Sequence, residues 1–152
     1  MLHLDDLAVG QRYVARGSRT LDAQAIKDFA REYDPQAFHL DEAAALDSPF
    51  QGLAASGWQI AGITMRLLVD GGMPLAGGMI GAGAELSWPR PTRPGDRLHA
   101  ACEVIAIAPS RSKPDRGIVT IRCETFNQHD EVVQLMVSKL MVRRDPARLP
   151  PA

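Results

Sequence analysis

The sequence predicts an α+β fold in which one long helix packs against an antiparallel sheet. Helical patterns fill the first half of the chain and alternating, strand-like patterns fill the second. The longest helical pattern, Gly52 to Asp70, repeats Ile60, Ile63, Thr64, Leu67 and Leu68 at steps of three and four. It is also dense in small residues: Ala54, Ala55, Ser56, Gly57, Ala61 and Gly62. A glycine inside a helix costs roughly 1 kcal/mol relative to alanine. A helix that accepts this needs close backbone approach, which a sheet wrapped around it supplies.

The elements follow in order. Val9-Gly10-Gln11 makes a turn into a short strand over Arg12 to Ala15. Thr20 and Asp22 offer capping oxygens to a helix carrying Ile26, Phe29 and Ala30. That helix ends near Tyr33, because Pro35 pushes Asp34 out of the α region. A loop from Asp34 to Phe50 holds a short helix, Asp41 to Leu46, broken at Ser48-Pro49. Beyond the long helix, strands are expected over Gly81 to Trp88, Arg97 to Ala108, Ile118 to Asn127 and Val132 to Val142. The second should turn Leu98, Ala100, Cys102, Val104 and Ala106 to one face. Pro89 to Asp96 is a rigid connection, and Gln128-His129-Asp130 a hairpin turn. A proline-rich tail from Asp145 to Ala152 is expected to fray. The whole reads as one domain, 1–152, with its core over about 8–143 and its tail over 144–152.

Composition excludes several classes. Net charge is −1 over 152 residues, so broad phosphate neutralisation, and with it nucleic-acid binding, is not expected. The apolar run Ile60 to Val69 is interrupted by Arg66 and too short to cross a bilayer, so no membrane partner is expected. Met1 to Arg19 carries Asp5 and Asp6 and lacks an apolar centre, unlike a signal peptide, so the expected location is cytoplasmic. Cys102 and Cys123 fall in predicted strands that could face each other; in a reducing compartment they read as buried thiols. No zinc-ligand spacing and no glycine-rich phosphate loop occurs, so neither a metal nor a cofactor is expected.

The stretch Tyr33-Asp34-Pro35-Gln36-Ala37-Phe38-His39-Leu40-Asp41 sets a carboxylate and an imidazole in one proline-constrained loop. Such a pair activates water or moves a proton. The other reading is structural: Asp34 caps a turn and His39 caps the next helix. Ser56-Gly57 likewise reads as a helix cap with tight packing or as a substrate contact. His3, His99 and His129 have no partnering signature and read as bystanders.

Thr20 to Phe29, Asp34 to His39 and Pro49 to Gly57, together with Trp88 to Leu98, resemble the MaoC-like hydratase/dehydratase family, which includes (R)-specific enoyl-CoA hydratases. The resemblance spans Thr20 to Val142. It implies the hot-dog fold, a long central helix wrapped by a curved antiparallel sheet. It implies hydration of a trans-2-enoyl-CoA, or the reverse, with Asp34 and His39 catalytic and the Gly57 N–H facing the thioester carbonyl beside Ser56. Gln36 stands where the family signature has Asn, Ala37 where it has Pro, and Ser56 where many relatives have His. Phe38, Phe50, Leu53, Trp58 and Met65 are candidate lining for an acyl site near Gln36, with plain core the other and commoner reading of each. The CoA phosphates would call on Arg90, Arg93, Arg97, Arg111, Lys113 or Arg116. Gly71 to Gly83 is expected to fold over the site and set its depth. The resemblance also implies a homodimer joined edge to edge. Two alternatives stay open: a hot-dog thioesterase, disfavoured because Ser56 to Val69 holds no Asp or Glu, and a non-catalytic acyl-CoA binding or structural subunit.

Overall fold

A computed structural model describes residues 1–149. Short strands β1 (Arg12–Val14) and β2 (Arg19–Thr20) lead into helix α1 (Ala23–Tyr33). Asp22 alone caps α1, accepting from the Ala25 N–H at 2.8 Å, because Thr20 is committed to β2. The helix stops where the sequence predicts, with Asp34 at φ −150° ahead of Pro35. A one-turn helix α2 (Ala37–Leu40) then precedes α3 (Glu42–Leu46), capped by Asp41. The long helix α4 runs from Gly57 to Gly71. It starts five residues later than the periodicity suggests, because Gly52 sits at φ 147° and Ser56 takes the capping position.

Four long strands follow: β3 (Ile80–Ser87), β4 (Arg97–Pro109), β5 (Arg116–Phe126) and β6 (Val132–Arg143). They form an antiparallel sheet in the order β1-β4-β5-β6-β3, with β2 also on β4. The hairpin between β5 and β6 turns at Asp130, φ 57°, while Asn127 accepts from the His129 and Glu131 N–H groups. Helix α4 lies against β4 and β6, the hot-dog arrangement. In β4 one residue is added between Val104 and Ala106. The face therefore switches: Ala106 is exposed, and Ile107 packs against the core in its place.

Two apolar clusters hold these layers. One gathers Leu67, Leu68, Met73 and Leu75 against Val104, Val119, Ile121 and Leu140, with Leu4 and Leu7 closing its end. Leu4 and Leu7, ahead of the expected core, are thus buried in it. The other cluster joins Leu21, Ile26, Leu53, Ile60, Leu98 and Val133, and fastens α1 to the start of α4. The segment after α4 does not cover the site. Met73 and Leu75 are buried at the opposite end of the helix, where Leu2 bridges to Leu75. Nor is the tail loose through Leu149: Arg144 binds Asp5 at 2.7 Å, and Arg148 lies 3.2 Å from Asp6. The rest of the predicted fraying, 150–152, lies outside the described residues.

Cys102 and Cys123 are register partners on β4 and β5 and form a disulfide, not the two thiols expected. The reading as thiols rested on compartment, whereas the sheet register sets the two Cα atoms 4.1 Å apart. Closing a loop of sequence separation 21 stabilises a fold by about 3 kcal/mol. Denaturant unfolding of oxidised against reduced protein should show a difference of that order, and the unfolded oxidised chain should titrate no free thiol.

Candidate active site

The site forms where the α1–α2 turn meets the N-terminus of α4. Pro35 and the end of α1 turn the Asp34 side chain toward Ser56. The Ser56 hydroxyl donates to Asp34 Oδ2 at 2.7 Å, and Gln36 Nε2 donates to Asp34 Oδ1 at 2.7 Å. His39 rides on α2 and is 4 % exposed. Its Nε2 lies 3.3 Å from Asp34 Oδ2, and its Nδ1 lies 2.7 Å from the Ala54 carbonyl oxygen. A carbonyl only accepts, so Nδ1 carries the proton. In the neutral ring Nε2 then presents a lone pair to the carboxylate, and a proton bound at Nε2 bonds the two groups.

Burial works against the charged form of Asp34. The bonds from Ser56 and Gln36, with His39 alongside, outweigh it and hold the carboxyl below its ordinary range. Asp34 therefore stays a carboxylate above the ordinary Asp value, and the stability tied to this charge is lost only as pH falls through its lowered value. Ser56→Ala or Gln36→Leu removes one of the lowering bonds. Each should move the Asp34 titration, followed by carboxyl NMR, upward toward the ordinary value.

Ser56 also caps α4, accepting from the Trp58 N–H at 3.3 Å, as its structural reading expects; it is fully buried and supports Asp34 instead of lining the cleft. The Gly57 N–H, in the first turn of α4, makes no hydrogen bond among the described residues. Trp88 packs onto Gly57 so closely that a Cβ there would lie 2.5 Å from the indole. Gly62, by contrast, has nothing within 4 Å of its missing Cβ, so close packing accounts for Gly57 alone of the two. The indole is anchored from behind. Trp88 Nε1 donates to Gln134 Oε1 at 2.9 Å, and Gln134 Nε2 donates to Thr64 Oγ1 at 3.0 Å. Thr64 reaches Thr125 at 2.6 Å; all three partners behind the indole are fully buried.

A cleft of about 680 Å3 opens here, walled by Phe38, His39, Phe50, Ile60, Trp88 and Arg90 among others. Phe38, Phe50 and the His39 ring pack as a group, with Phe38 and Phe50 5.1 Å apart. Gln36 and Gly57 also line the cleft. Three predicted lining residues lie elsewhere: Leu53 is buried in the core, while Trp58 and Met65 sit on an exposed face of α4. Both follow the helical turn away from the side that Ile60 and Thr64 bury. Among the cations, Arg90 lines the cleft with only Glu131 nearby at 3.7 Å. Arg93 donates to the backbone carbonyls of Phe50, Gly52 and Leu53, and Arg116 is paired with Asp115. His99 pairs with Asp130 at 3.2 Å, on the hairpin.

A long helix wrapped by an antiparallel sheet, with a carboxylate–imidazole pair beside an unbonded helix N–H, places the chain in the hot-dog class of proteins. Residues 6–125 match the family described as the MaoC like domain, and the chain belongs to that family. Among solved structures, the MaoC-like dehydratase from Rhodospirillum rubrum is 60 % identical with a TM-score of 0.93, over 96 % of this chain and 99 % of that one. The (R)-hydratase from A. caviae involved in PHA biosynthesis is 28 % identical with a TM-score of 0.66, over 91 % of this chain and 98 % of its own. An uncharacterized protein of Bacillus subtilis, YdeM, is 33 % identical over 85 % of this chain and 90 % of its length.

Proposed function

We propose that the protein is an acyl-CoA hydratase/dehydratase that adds water syn across the double bond of a trans-2-enoyl-CoA, giving a 3-hydroxyacyl-CoA. The observation that carries the reading is the contact of Asp34 with His39, 3.3 Å apart, where His39 and Gly57, whose N–H is unbonded among the described residues, both line the cleft. Asp34, held as a carboxylate, takes a proton from a water lodged between it and His39, and the water oxygen bonds to C3. His39 orients that water through its Nε2 lone pair, and the proton taken up by Asp34 passes by way of Nε2 to C2 on the same face, leaving both groups as they began. The π electrons pass to the thioester oxygen as an enolate, then return to form the C2–H bond. The Gly57 N–H and the positive end of α4 stabilise the enolate oxygen. The similarity to an (R)-hydratase supports the 3R product. No cofactor enters these steps, and CoA is part of the substrate; Arg90 at the cleft wall suits its phosphates.

The working unit is a homodimer. Strand β3 is an open sheet edge, and Trp58, Met65 and Val69 leave an apolar stripe on α4 without cover. Sedimentation at micromolar concentration should give a dimer; a monomer alone rejects this part of the reading. A panel of enoyl-CoAs from crotonyl-CoA upward tests the reaction. Loss of the conjugated double bond without release of thiol supports hydration. Thiol release points to a thioesterase, and no turnover across the panel to a binding subunit.

A further inference from the structure

The connection between β3 and β4 reaches the catalytic pair without touching it. Among the described residues Arg93 has no carboxylate partner for its guanidinium. Instead the side chain donates to three carbonyl oxygens of one loop: Gly52 at 2.8 Å, Leu53 at 3.3 Å and Phe50. That loop holds two residues in the left-handed region, Gln51 at φ 53° and Gly52 at φ 147°. Such conformations persist where the surroundings over-determine them. The next peptide group, between Ala54 and Ala55, is gripped by the neighbouring residue, since the Ala55 N–H donates to the Thr92 carbonyl at 2.9 Å. The carbonyl of this same peptide accepts the His39 Nδ1–H. Phe50, whose carbonyl Arg93 holds, packs its ring against Phe38 at a tilt and lies 6.1 Å from the His39 ring.

We infer that Arg93, through the loop carbonyls it clamps and the Thr92–Ala55 bond beside it, is a positioning residue that fixes the tautomer and orientation of His39. Two of its guanidinium nitrogens are engaged by backbone carbonyls. On the N–H side the loop is held by Gln51 and Gly52 bonding back to Ser48 and Ala45 and by Ala54 donating to the Phe38 carbonyl at 3.4 Å, with Leu53 buried in the core; the carbonyls of Phe50, Gly52 and Leu53 are held by Arg93. When the clamp is lost, the loop relaxes, the Ala54 carbonyl drifts, and the ring is free to move its proton to Nε2. That tautomer turns a donor toward Asp34 and removes the lone pair that faces the pair's shared space.

The catalytic consequence rests on the proposed hydratase reading; the tautomer does not. The test is a two-bond 15N–1H correlation spectrum of the His39 ring, with kcat and KM, in the wild type, Arg93→Met and Arg93→Lys. In wild type the neutral ring should be the Nδ1–H form. Arg93→Met should populate Nε2–H and lower kcat about tenfold to a hundredfold, with KM changed far less, as for a displaced catalytic group. Arg93→Lys, which keeps the charge but not the planar fork, should move both readouts the same way. It replaces the methionine variant if that one does not fold. An unchanged His39 spectrum in a folded variant overturns the inference. A shifted tautomer in a protein that hydrates no enoyl-CoA leaves it standing and rejects the hydratase reading instead.

Discussion

Asp34→Asn is expected to lower kcat for enoyl-CoA hydration by about a hundredfold to ten-thousandfold, the range for loss of a general base, with the fold intact. The carboxylate accepts on both oxygens, from Gln36 at Oδ1 and from Ser56 at Oδ2 beside His39. An amide accepts on one side only. Gln36 is exposed and turns away readily, so the amide can place its oxygen toward Ser56 and keep the loop closed. What vanishes is the base. His39→Ala should match the loss in rate but differ in stability. It leaves the Ala54 carbonyl without its partner, at about 1–3 kcal/mol, together with a void beside Phe38 and Phe50. Steady-state kinetics and denaturant melts on both variants separate the two effects. An unchanged rate in either removes that residue from the mechanism.

Gly57→Ala is expected to cost about 1–3 kcal/mol of stability and to impair the site as well, because one methyl is too much there. The added Cβ would lie 2.5 Å from rigid indole atoms, and the indole cannot retreat without breaking its bond to Gln134. Gln134, Thr64 and Thr125 behind it are buried and mutually bonded, so yielding on that side exposes several polar groups to loss of partners. If Trp88 holds, the start of α4 moves instead, and the Gly57 N–H leaves its place. Combining Gly57→Ala with Trp88→Ala tests this by melting. The double variant should be more stable than the sum of the single losses predicts, because the methyl then fills space the indole vacated. Strict additivity would mean that the Trp88 contact is not what demands glycine.

Much of this architecture was readable before any coordinates. Pro35 ends α1 and leaves Asp34 at a turn; alternation marks β5 and β6; Asp130 closes their hairpin. The contact of Asp34 with His39 was legible in their spacing because both groups sit within one short stretch. What was not legible depends on partners far apart in sequence or on elements too short for periodicity. Helix α2 is a single turn, too brief to show a repeat, yet it carries His39. The bulge in β4 inverts a face that alternation assigns to Ala106. The disulfide depends on sheet register. The Trp88–Gln134–Thr64 chain and the Arg93 clamp join residues from the strands to the loop and helix, and nothing local marks Gln134 or Ala54 as supports of a site. Trp58 and Met65 suited an acyl site by type, but the phase of α4 turns them outward.

The most direct test of the central claim is the product of crotonyl-CoA incubated with the wild-type protein in D2O, analysed by NMR. The account predicts 3-hydroxybutyryl-CoA with one deuterium at C2, as a single diastereomer in which deuterium and hydroxyl entered from one face. A mixture of diastereomers, or no hydrated product from crotonyl-CoA or any longer enoyl-CoA of the panel, would contradict it.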